Sequence, residues 1–302
     1  MSGRPMHEHE VSVDAELVRR LITSQLPHLG DLPVERVESA GTDNALYRLG
    51  DDLSVRLPRI EWASQQGPKE YEWLPRLAPL LPLPVPAPLA LGAPGEGYPW
   101  AWTVCRWLEG ESPSTDAADP ADGLVAELAR FVAALHAIDS AGGPPAGAHN
   151  FFRGCPLEWR DGPTRDAIAA LTGAIDTEAA TAAWDADVAA PAWSGAPVWV
   201  HGDLSPGNLL CVDGRLNGVI DFGGLGVGDP AVDLVVAWNL LPASARDDFR
   251  AALPHLDDAA WRRGRGWALS IALIQLPYYR DTNPTLAASS RHVIEEILAA
   301  PT

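Results

Sequence analysis

Hydrophobic and polar positions repeat with different periods in different parts of the chain. Residues 14–30 carry apolar positions at helical spacing, which predicts a helix with Asp14 as its N-cap and Gly30 as its stop. Residues 34–59 alternate with a period of two around the turns SAGTDN and LGDD, which predicts three antiparallel strands. The next segment, GPKEYEWLPRLAPLL, predicts an amphipathic helix that Pro75 kinks or ends early.

The pattern changes after a proline-rich stretch. LPLPVPAPLALG holds too many prolines for a helix and should run extended over the surface, and WAWTVCRWLEG predicts a strand that ends at Gly110. Alanine-rich helical stretches follow, and AVDLVVAWNLL and WALSIALIQLPYY are apolar enough to be core helices. This order predicts an α+β chain with lobes at 1–109 and 110–302, a hinge near residue 109, and a disordered leader at 1–10.

Composition and charge narrow the class of protein. The chain has 302 residues and a formal net charge of -18, which counts against nucleic-acid binding because phosphates need a basic face. No apolar window is long enough to span a membrane, and three scattered cysteines indicate a reduced, cytoplasmic setting. The acids are dense in residues 111–190, which is compatible with a cationic substrate.

Two motifs follow short apolar runs in the second half of the chain. HGDLSPGN places Asn208 five residues after Asp203, and IDFG places Asp221 eighteen residues after Asp203, with a hairpin-like segment between them. Phosphoryl-transfer enzymes use the same order, H-x-D-x-x-x-x-N followed by D-F-G. Either motif alone is a weak signal, but their order and spacing together indicate kinase chemistry.

The chain resembles the aminoglycoside phosphotransferase family. The likeness rests on HGDLSPGNLL, IDFGGLGVGDPAVDL and WTVCRWLEGE, and it spans residues 34–298. It implies an α+β, two-lobed protein-kinase-like fold, with an N-terminal antiparallel sheet lobe and a mainly helical C-terminal lobe. It also implies transfer of the γ-phosphoryl group of ATP or GTP, with Mg²⁺, to a hydroxyl of a small molecule. The first expectation for the acceptor is an aminoglycoside-type antibiotic, and the alternatives are a macrolide, another antibiotic or a small metabolite alcohol.

The resemblance assigns roles to the residues of the two motifs. Asp203 would be the catalytic base, and Asn208 and Asp221 would be magnesium ligands. His201 would brace the catalytic loop, and Asp233 would anchor the backbone of that loop. For Asp233, a helix N-terminal acid favoured by the helix dipole is an equal alternative.

The nucleotide-binding part departs from the family pattern. Arg56 stands in the strand where a lysine is usual, in a chain whose only lysine is Lys69. Glu70 would pair with Arg56, with Glu72 as second choice; the turn SAGTDNALY would cover the phosphates, and the connector after the WAWTV strand would bond the adenine. The predicted nucleotide-binding residues are Gly41, Thr42, Asn44, Arg56, Glu70, Arg106 and Leu108.

A cationic acceptor would be held by acidic side chains. The predicted substrate-binding residues are Glu158, Asp161, Asp187, Glu295 and Glu296. Two other classes of protein stay open. One is a catalytically inactive nucleotide-binding protein, suggested by Arg56 and the glycine-poor turn. The other is a metallohydrolase that uses His201, Asp203 and Asp221, which should show further histidine ligands.

Overall fold

The strands of the first third of the chain form one antiparallel sheet. The computed structural model describes residues 10–37, 43–114 and 123–299. The sheet order is β1-β2-β3-β5-β4, and every neighbouring pair is antiparallel. The strands are β1 (Val34–Arg36), β2 (Asn44–Leu49), β3 (Leu53–Pro58), β4 (Pro88–Gly92) and β5 (Trp102–Arg106). The three strands predicted from the alternation at 34–59 are therefore confirmed.

The first helix is shorter than its apolar pattern predicted. Helix α1 (Ala15–Gln25) begins as expected, because the side chain of Asp14 accepts a hydrogen bond from Leu17 N. It ends before Pro27 and not at Gly30, because a residue that precedes proline is pushed out of the helical conformation. A single 3-10 turn, Pro27–Leu29, covers the remaining residues.

The segment between β3 and β5 contains a helix and an edge strand. Helix α2 (Gln66–Leu77) passes through Pro75 and ends two residues later, so the proline costs one hydrogen bond in the last turn. The proline-rich segment 81–92, predicted to run extended over the surface, joins the sheet with its last five residues as β4. It lies at the sheet edge, where strands tolerate proline because one side of the strand needs no partner.

The rest of the chain is mainly helical, with short strands around the predicted motifs. The hairpin of β7 and β8 turns at Asp213 and Gly214, both with positive φ. The segment 230–235, predicted as helical, is a 3-10 turn followed by one short α-helix. The elements are α3 (Leu124–Ala137), α4 (Asp161–Ala170), α5 (Thr177–Val188), β6 (Val198–Val200), β7 (Leu209–Val212), β8 (Arg215–Val219), β9 (Gly226–Gly228), α6 (Val236–Asn239), α7 (Ala243–Ala251), α8 (Asp258–Tyr279) and α9 (Pro284–Ala299).

Buried apolar side chains form two separate clusters. The smaller cluster joins α1 to the sheet, and we call this part the sheet lobe; it includes Leu21, Tyr47 and Trp102. The larger cluster lies among the helices from α3 onward, which we call the helical lobe. Leu74 and Leu77 of α2 belong to the larger cluster, while the same helix also contacts β4 and β5, so α2 packs between the sheet lobe and the helical lobe. None of the described helices is both long enough and apolar enough to cross a membrane.

Candidate active site

The loop after β6 carries the predicted catalytic aspartate. The ring of His201 is fully buried, and both of its nitrogens are hydrogen-bonded to backbone: Nε2 donates to Ile220 O (3.0 Å) and Nδ1 accepts from Asp203 N (3.2 Å). The ring also packs on Phe222, with 4.5 Å between centroids. His201 therefore joins the backbone of the HGD loop to that of the DFG loop and leaves no ring nitrogen for a metal or a proton transfer.

The same loop is held from below by Asp233. Its two carboxylate oxygens accept hydrogen bonds from His201 N (3.0 Å) and Gly202 N (2.8 Å), and His136 Nε2 lies 3.1 Å from Oδ2. Asp233 is fully buried. Since buried carboxylates are costly unless they are hydrogen-bonded, this arrangement ties the position of the loop to the turn that carries Asp233.

Asn208 lies beside Asp203 at the end of the loop. Its Nδ2 donates to Asp203 Oδ2 (3.0 Å) and to Asp203 O (2.8 Å). Because both contacts use the amide nitrogen, the amide oxygen remains as the ligand atom of this side chain. Its backbone carbonyl accepts from Ile220 N (2.9 Å), which places Asn208 next to the residue that precedes Asp221.

Asp221 adopts a left-handed backbone conformation, with φ of 59°. Its Oδ1 accepts from Arg56 Nη2 (2.7 Å) and from Gly223 N (3.3 Å). Desolvation acts to raise the pKa of Asp221, but the charge of Arg56 and these hydrogen bonds outweigh it and hold the pKa below its usual value. Asp221 is therefore an anion at neutral pH.

Arg56 of β3 bridges the two lobes. Its Nη1 donates to both carboxylate oxygens of Glu70 (2.8 and 2.9 Å), while Nη2 donates to Asp221. Glu70 on α2 is 1% exposed, and burial raises its pKa in spite of the charge of Arg56. Burial acts to lower the pKa of Arg56, but the two carboxylates outweigh burial and raise it. A charged guanidinium thus links β3, α2 and the DFG loop.

The only lysine of the chain contacts the same loop. Lys69 Nζ donates to Gly223 O (2.7 Å) and to His149 O (3.2 Å). Burial lowers the pKa of Lys69 to about 8, against the opposing charges of Glu70 and Asp221. The sequence motifs assign no role to Lys69. Its position next to Glu70 and its being the only lysine of the chain are the sequence features that could have pointed to this contact.

The connector between the lobes is fixed at both ends. Arg106 ends β5 opposite Leu53, and Trp107 N donates to Asp52 O (2.8 Å). Leu108 lies against β8, 3.4 Å from the position that a Cβ on Gly218 would take. Glu111 pairs with Cys211 of β7 through two backbone hydrogen bonds (2.9 and 2.8 Å). The connector therefore spans the gap between the two lobes, where the adenine was predicted to bind.

The predicted phosphate-covering turn is only partly described. Gly41 and Thr42 lie outside the described residues. Asn44 begins β2, and its side-chain amide lies 3.2 Å from Gln66 Oε1 and 3.0 Å from Arg56 Nη2. Gln66, which sequence analysis did not single out, is buried at the start of α2 and lies 3.4 Å from Arg56 Nη2.

The donor set of this site fits Mg²⁺. One carboxylate, Asp221, and one amide oxygen, Asn208, are oxygen ligands of the kind that Mg²⁺ takes together with waters and nucleotide phosphates. Among the residues that the structure describes, no three His, Cys, Asp or Glu side chains converge on a possible metal position. A hydrolytic site of protein ligands alone has no support here, whereas a site completed by phosphates needs no such cluster.

The five predicted substrate acids lie in different surroundings. Asp187 is fully buried and pairs with Arg265 (2.8 Å), and Glu296 pairs with Arg246 (2.7 Å). Asp161 accepts from Trp184 Nε1 (2.8 Å) and from Arg165 Nε (2.9 Å). Glu158 and Glu295 are exposed and form no ion pair with another described residue. The structure brings together the HGD, DFG, Arg56 and Glu70 positions, but it does not gather these acids into one cluster.

The chain was compared with known families and proteins. The model of a family described as "Phosphotransferase enzyme family" matches residues 35–267. A curated aminoglycoside 3'-phosphotransferase of Escherichia coli is 51% identical over 45 residues. That match covers 15% of this chain and 17% of the relative, so it concerns a short segment of both proteins.

Solved structures match over nearly the whole chain. An aminoglycoside phosphotransferase in complex with GDP and kanamycin has a TM-score of 0.74 and 22% identity, covering 93% of this chain and 98% of the other. The apoenzyme of a macrolide 2'-phosphotransferase from Brachybacterium faecium has a TM-score of 0.62 and 24% identity, covering 96% and 99%. At these identities the likeness concerns the fold, and it confirms the predicted two-lobed, protein-kinase-like architecture.

Proposed function

Since the chain belongs to the phosphotransferase enzyme family, we propose that it transfers the γ-phosphoryl group of ATP or GTP to a hydroxyl of a small molecule. The observation that carries this proposal is the arrangement of Asp203, Asn208 and Asp221 around one pair of loops, with the Arg56–Glu70 pair beside it. Phosphoryl transfer relies on positioning and on charge stabilisation, and these residues supply both.

Asp203 acts as the catalytic base in this proposal. Its carboxylate lies at the end of a loop whose backbone is fixed by Asp233 and His201, and its Oδ2 is oriented by Asn208 Nδ2. A carboxylate held in this way accepts the proton of the acceptor hydroxyl as that oxygen attacks phosphorus. No other ionisable group of the loop is free for this task, because both nitrogens of His201 are occupied by backbone groups.

The nucleotide lies between the lobes in this proposal. Asp221 and Asn208 would hold Mg²⁺, which neutralises phosphate charge when it is bound. Arg56 would direct its guanidinium to the phosphates, as a lysine does in the family pattern, while Glu70 holds it in place. Asn44 and the backbone of Arg106 and Leu108 remain the proposed contacts to the nucleotide, together with Gly41 and Thr42.

For the acceptor, the names of the relatives suggest an antibiotic, and an aminoglycoside is the first to test. The acidic residues predicted to bind ammonium groups support an aminoglycoside acceptor less strongly than the residues of the site support kinase chemistry. Asp161, Asp187 and Glu296 already bind arginines of the chain, which leaves Glu158 and Glu295 as exposed carboxylates.

The test is a nucleotide-turnover screen with ATP and GTP against aminoglycosides, macrolides and small alcohols. Once an acceptor is found, we expect Asp203→Asn to lower kcat by roughly 10²–10⁴-fold, because it keeps the shape of the side chain and removes proton acceptance. Nucleotide affinity, measured by calorimetry, should stay unchanged. An Asp203→Asn enzyme with near wild-type kcat would refute the role of Asp203 as the catalytic base. Nucleotide binding without turnover against the whole panel would favour the inactive alternative.

A further inference from the structure

Two arginines near the catalytic loop lack the partners that buried charges usually have. Arg153 Nε and Nη1 are buried, and no residue that the structure describes accepts a hydrogen bond from them. Arg160 donates through Nε to Ser270 Oγ (3.0 Å), and no described carboxylate forms an ion pair with either guanidinium. A buried donor without an acceptor costs stability, so a native chain that keeps such donors needs them for something else.

Other arginines with little exposure in this chain are paired with carboxylates. Arg263, whose side chain is 3% exposed, binds Asp229 through two nitrogens (2.7 and 3.1 Å). Arg265 binds both oxygens of Asp187, and Arg56 binds Glu70 and Asp221. The three guanidiniums therefore each have a carboxylate partner, whereas no described carboxylate is paired with Arg153 or Arg160.

One of the two arginines, Arg153, packs against the loop that carries the catalytic base. A Cβ on Gly202 would lie 2.9 Å from Arg153 Cβ, so Arg153 starts directly against the residue before Asp203. The charge of Asp203 is the one that raises the pKa of Arg153, while burial, the larger effect, lowers it. Arg153 therefore lies beside the loop that carries Asp203.

Arg160 and Trp267 complete the cluster. The guanidinium carbons of Arg153 and Arg160 lie 5.8 and 5.3 Å from the ring centre of Trp267, which is fully buried on α8. Trp267 Nε1 is a third buried donor that finds no acceptor within the described part of the chain. Burial first, and then the charge of Arg153, lower the pKa of Arg160 to about 9. The cluster therefore contains two positive charges and three buried donors for which the described residues supply no acceptor.

An oxyanion is the chemical group that would satisfy this cluster. The planar fork of a guanidinium matches the two oxygens of a carboxylate or of a phosphate ester, and one anion close to two arginines offsets their mutual repulsion. An ammonium group would instead add a further positive charge and bring more donors. The cluster is therefore the opposite of the acidic surface expected for a purely cationic acceptor.

We propose that Arg153 and Arg160, packed around Trp267, form a subsite for an oxyanion of the acceptor, a carboxylate or a phosphate ester close to the reactive hydroxyl. This inference rests on the proposed phosphotransferase function. It defines the acceptor as a hydroxylated small molecule that carries a negative group, with or without amines elsewhere.

The first experiment measures binding of a simple oxyanion, with the nucleotide site saturated by Mg²⁺ and a non-hydrolysable ATP analogue. Melting temperatures are compared in sodium sulfate and in sodium chloride at equal ionic strength for wild type, Arg153→Gln and Arg160→Gln. The matched control is Arg250→Gln, because Arg250 also lies over a tryptophan ring (5.6 Å) but pairs with Asp258 on the surface. Sulfate stabilises most proteins weakly, so the difference between variants is the measured quantity.

We expect sulfate to raise the melting temperature of wild type and Arg250→Gln by roughly 2 °C more than that of Arg153→Gln and Arg160→Gln. In chloride, Arg153→Gln should be at least as stable as wild type, because it removes an unpaired buried charge. A structural role predicts the reverse pattern. If Arg153→Gln lost stability in chloride and kept the full sulfate response, the subsite would be refuted.

The second experiment identifies the source of the oxyanion. Calorimetry with D-glucuronate, D-glucose and D-glucosamine compares a carboxylate, a hydroxyl and an ammonium on one sugar ring. We expect wild type to bind glucuronate roughly tenfold more tightly than the other two, and Arg153→Gln to lose this preference. Equal affinities, or no measurable glucuronate binding, would overturn the proposal. An Arg153→Gln variant that weakens binding of the ATP analogue but not of ADP would assign the guanidinium to the γ-phosphoryl group, and this too would overturn it.

The binding measurements do not depend on phosphoryl transfer. Selective glucuronate binding together with unimpaired turnover in Asp203→Asn would refute the proposed base and leave the oxyanion subsite standing. Loss of turnover in Asp203→Asn without any anion preference would support the kinase and refute the subsite.

Discussion

At position 56 one guanidinium contacts two carboxylates that lie on different elements. Nη1 binds Glu70 and Nη2 binds Asp221, so the two ends of the planar fork are used separately. A lysine ammonium has three donors but only one centre, and it could not hold both carboxylates with the same geometry. The arginine therefore replaces a point charge by a bridge between α2 and the DFG loop.

Substitution of Arg56 should separate charge from geometry. We expect Arg56→Ala to lower the free energy of unfolding by about 3–5 kcal/mol, because Glu70 stays buried without its partner, and to raise the nucleotide KM. Arg56→Lys should restore part of the stability and part of the nucleotide affinity. Urea denaturation and steady-state kinetics measure the two effects. Equal kinetics for wild type and Arg56→Ala would make Arg56 an ordinary strand arginine.

The buried lysine gives a prediction about pH. The pKa of Lys69 in the folded protein is about 8 and lies below its value in the unfolded chain, so the unfolded chain binds more protons between about pH 8 and pH 10.5. In this window the contribution of Lys69 to stability rises with pH, by roughly 3 kcal/mol in total. Denaturation of wild type and of Lys69→Met is measured from pH 7.5 to 10 in the presence of a chelator. The free energy of unfolding of wild type should rise with pH relative to that of Lys69→Met. The same pH dependence in both proteins would show that the pKa of Lys69 is not lowered in the folded protein.

The residues of the site differ in how far the sequence predicts them. The positions of Asp203, Asn208 and Asp221 follow from local spacing within two loops and one hairpin, and in the structure Asn208 contacts Asp203 while its backbone bonds the residue before Asp221. Arg153 gave no such signal. It lies fifty residues before Asp203 in the chain, and only tertiary packing against Gly202 brings the two together.

At the scale of elements, the 3-10 turn of residues 230–235 positions the catalytic loop. Its apolar pattern predicted an α-helix. Pro230 opens the segment, and Asp229 caps it by accepting from Ala231 N (3.0 Å) while also binding Arg263. Arg263, which binds Asp229, and His201, whose backbone binds Asp233, lie more than thirty residues away in the chain, so local periodicity carried no information about these contacts.

Asp233→Asn tests this element. The amide can replace only one of the two oxygens that accept from the loop backbone, so we expect a loss of about 2–3 kcal/mol in the free energy of unfolding and a lower kcat. Nucleotide KM should change little, because the nucleotide contacts lie on other elements. Asp176→Asn is the matched control, since Asp176 is the N-cap of α5 and asparagine caps equally well. If both variants lost the same stability and activity, Asp233 would have no special role in the loop.

At the scale of the molecule, two lobes with separate cores meet at the site. Leu74 and Leu77 join α2 to the helical-lobe core, while Glu70 of the same helix holds Arg56 of the sheet. The connector is bonded to β7 and to the turn before β3. The sequence predicted the division into a sheet and helices. The packing of α2 against the two lobes depends on contacts between distant segments, which the sequence pattern does not show.

Nucleotide binding should therefore stabilise the molecule as a whole. With nucleotide at about 100 times its Kd, the free energy of unfolding should rise by about 2.7 kcal/mol, because the ligand binds the folded chain and not the unfolded chain. In Asp221→Ala the Mg²⁺-dependent part of this gain should disappear, as measured by calorimetry with and without Mg²⁺. An unchanged Mg²⁺ dependence would show that Asp221 is not a metal ligand.

Because Lys69 is the single lysine of the chain, covalent labelling of this residue can report on the DFG loop that it contacts. Apart from the terminal amine, an amine-acylating reagent has one target in this protein, and Lys69 must leave Gly223 O and His149 O before it can react. The rate at which one acyl group appears at Lys69, counted by mass spectrometry, would then report how often the loop and α2 separate. The acylation rate of this one side chain would therefore measure the opening of the catalytic cleft.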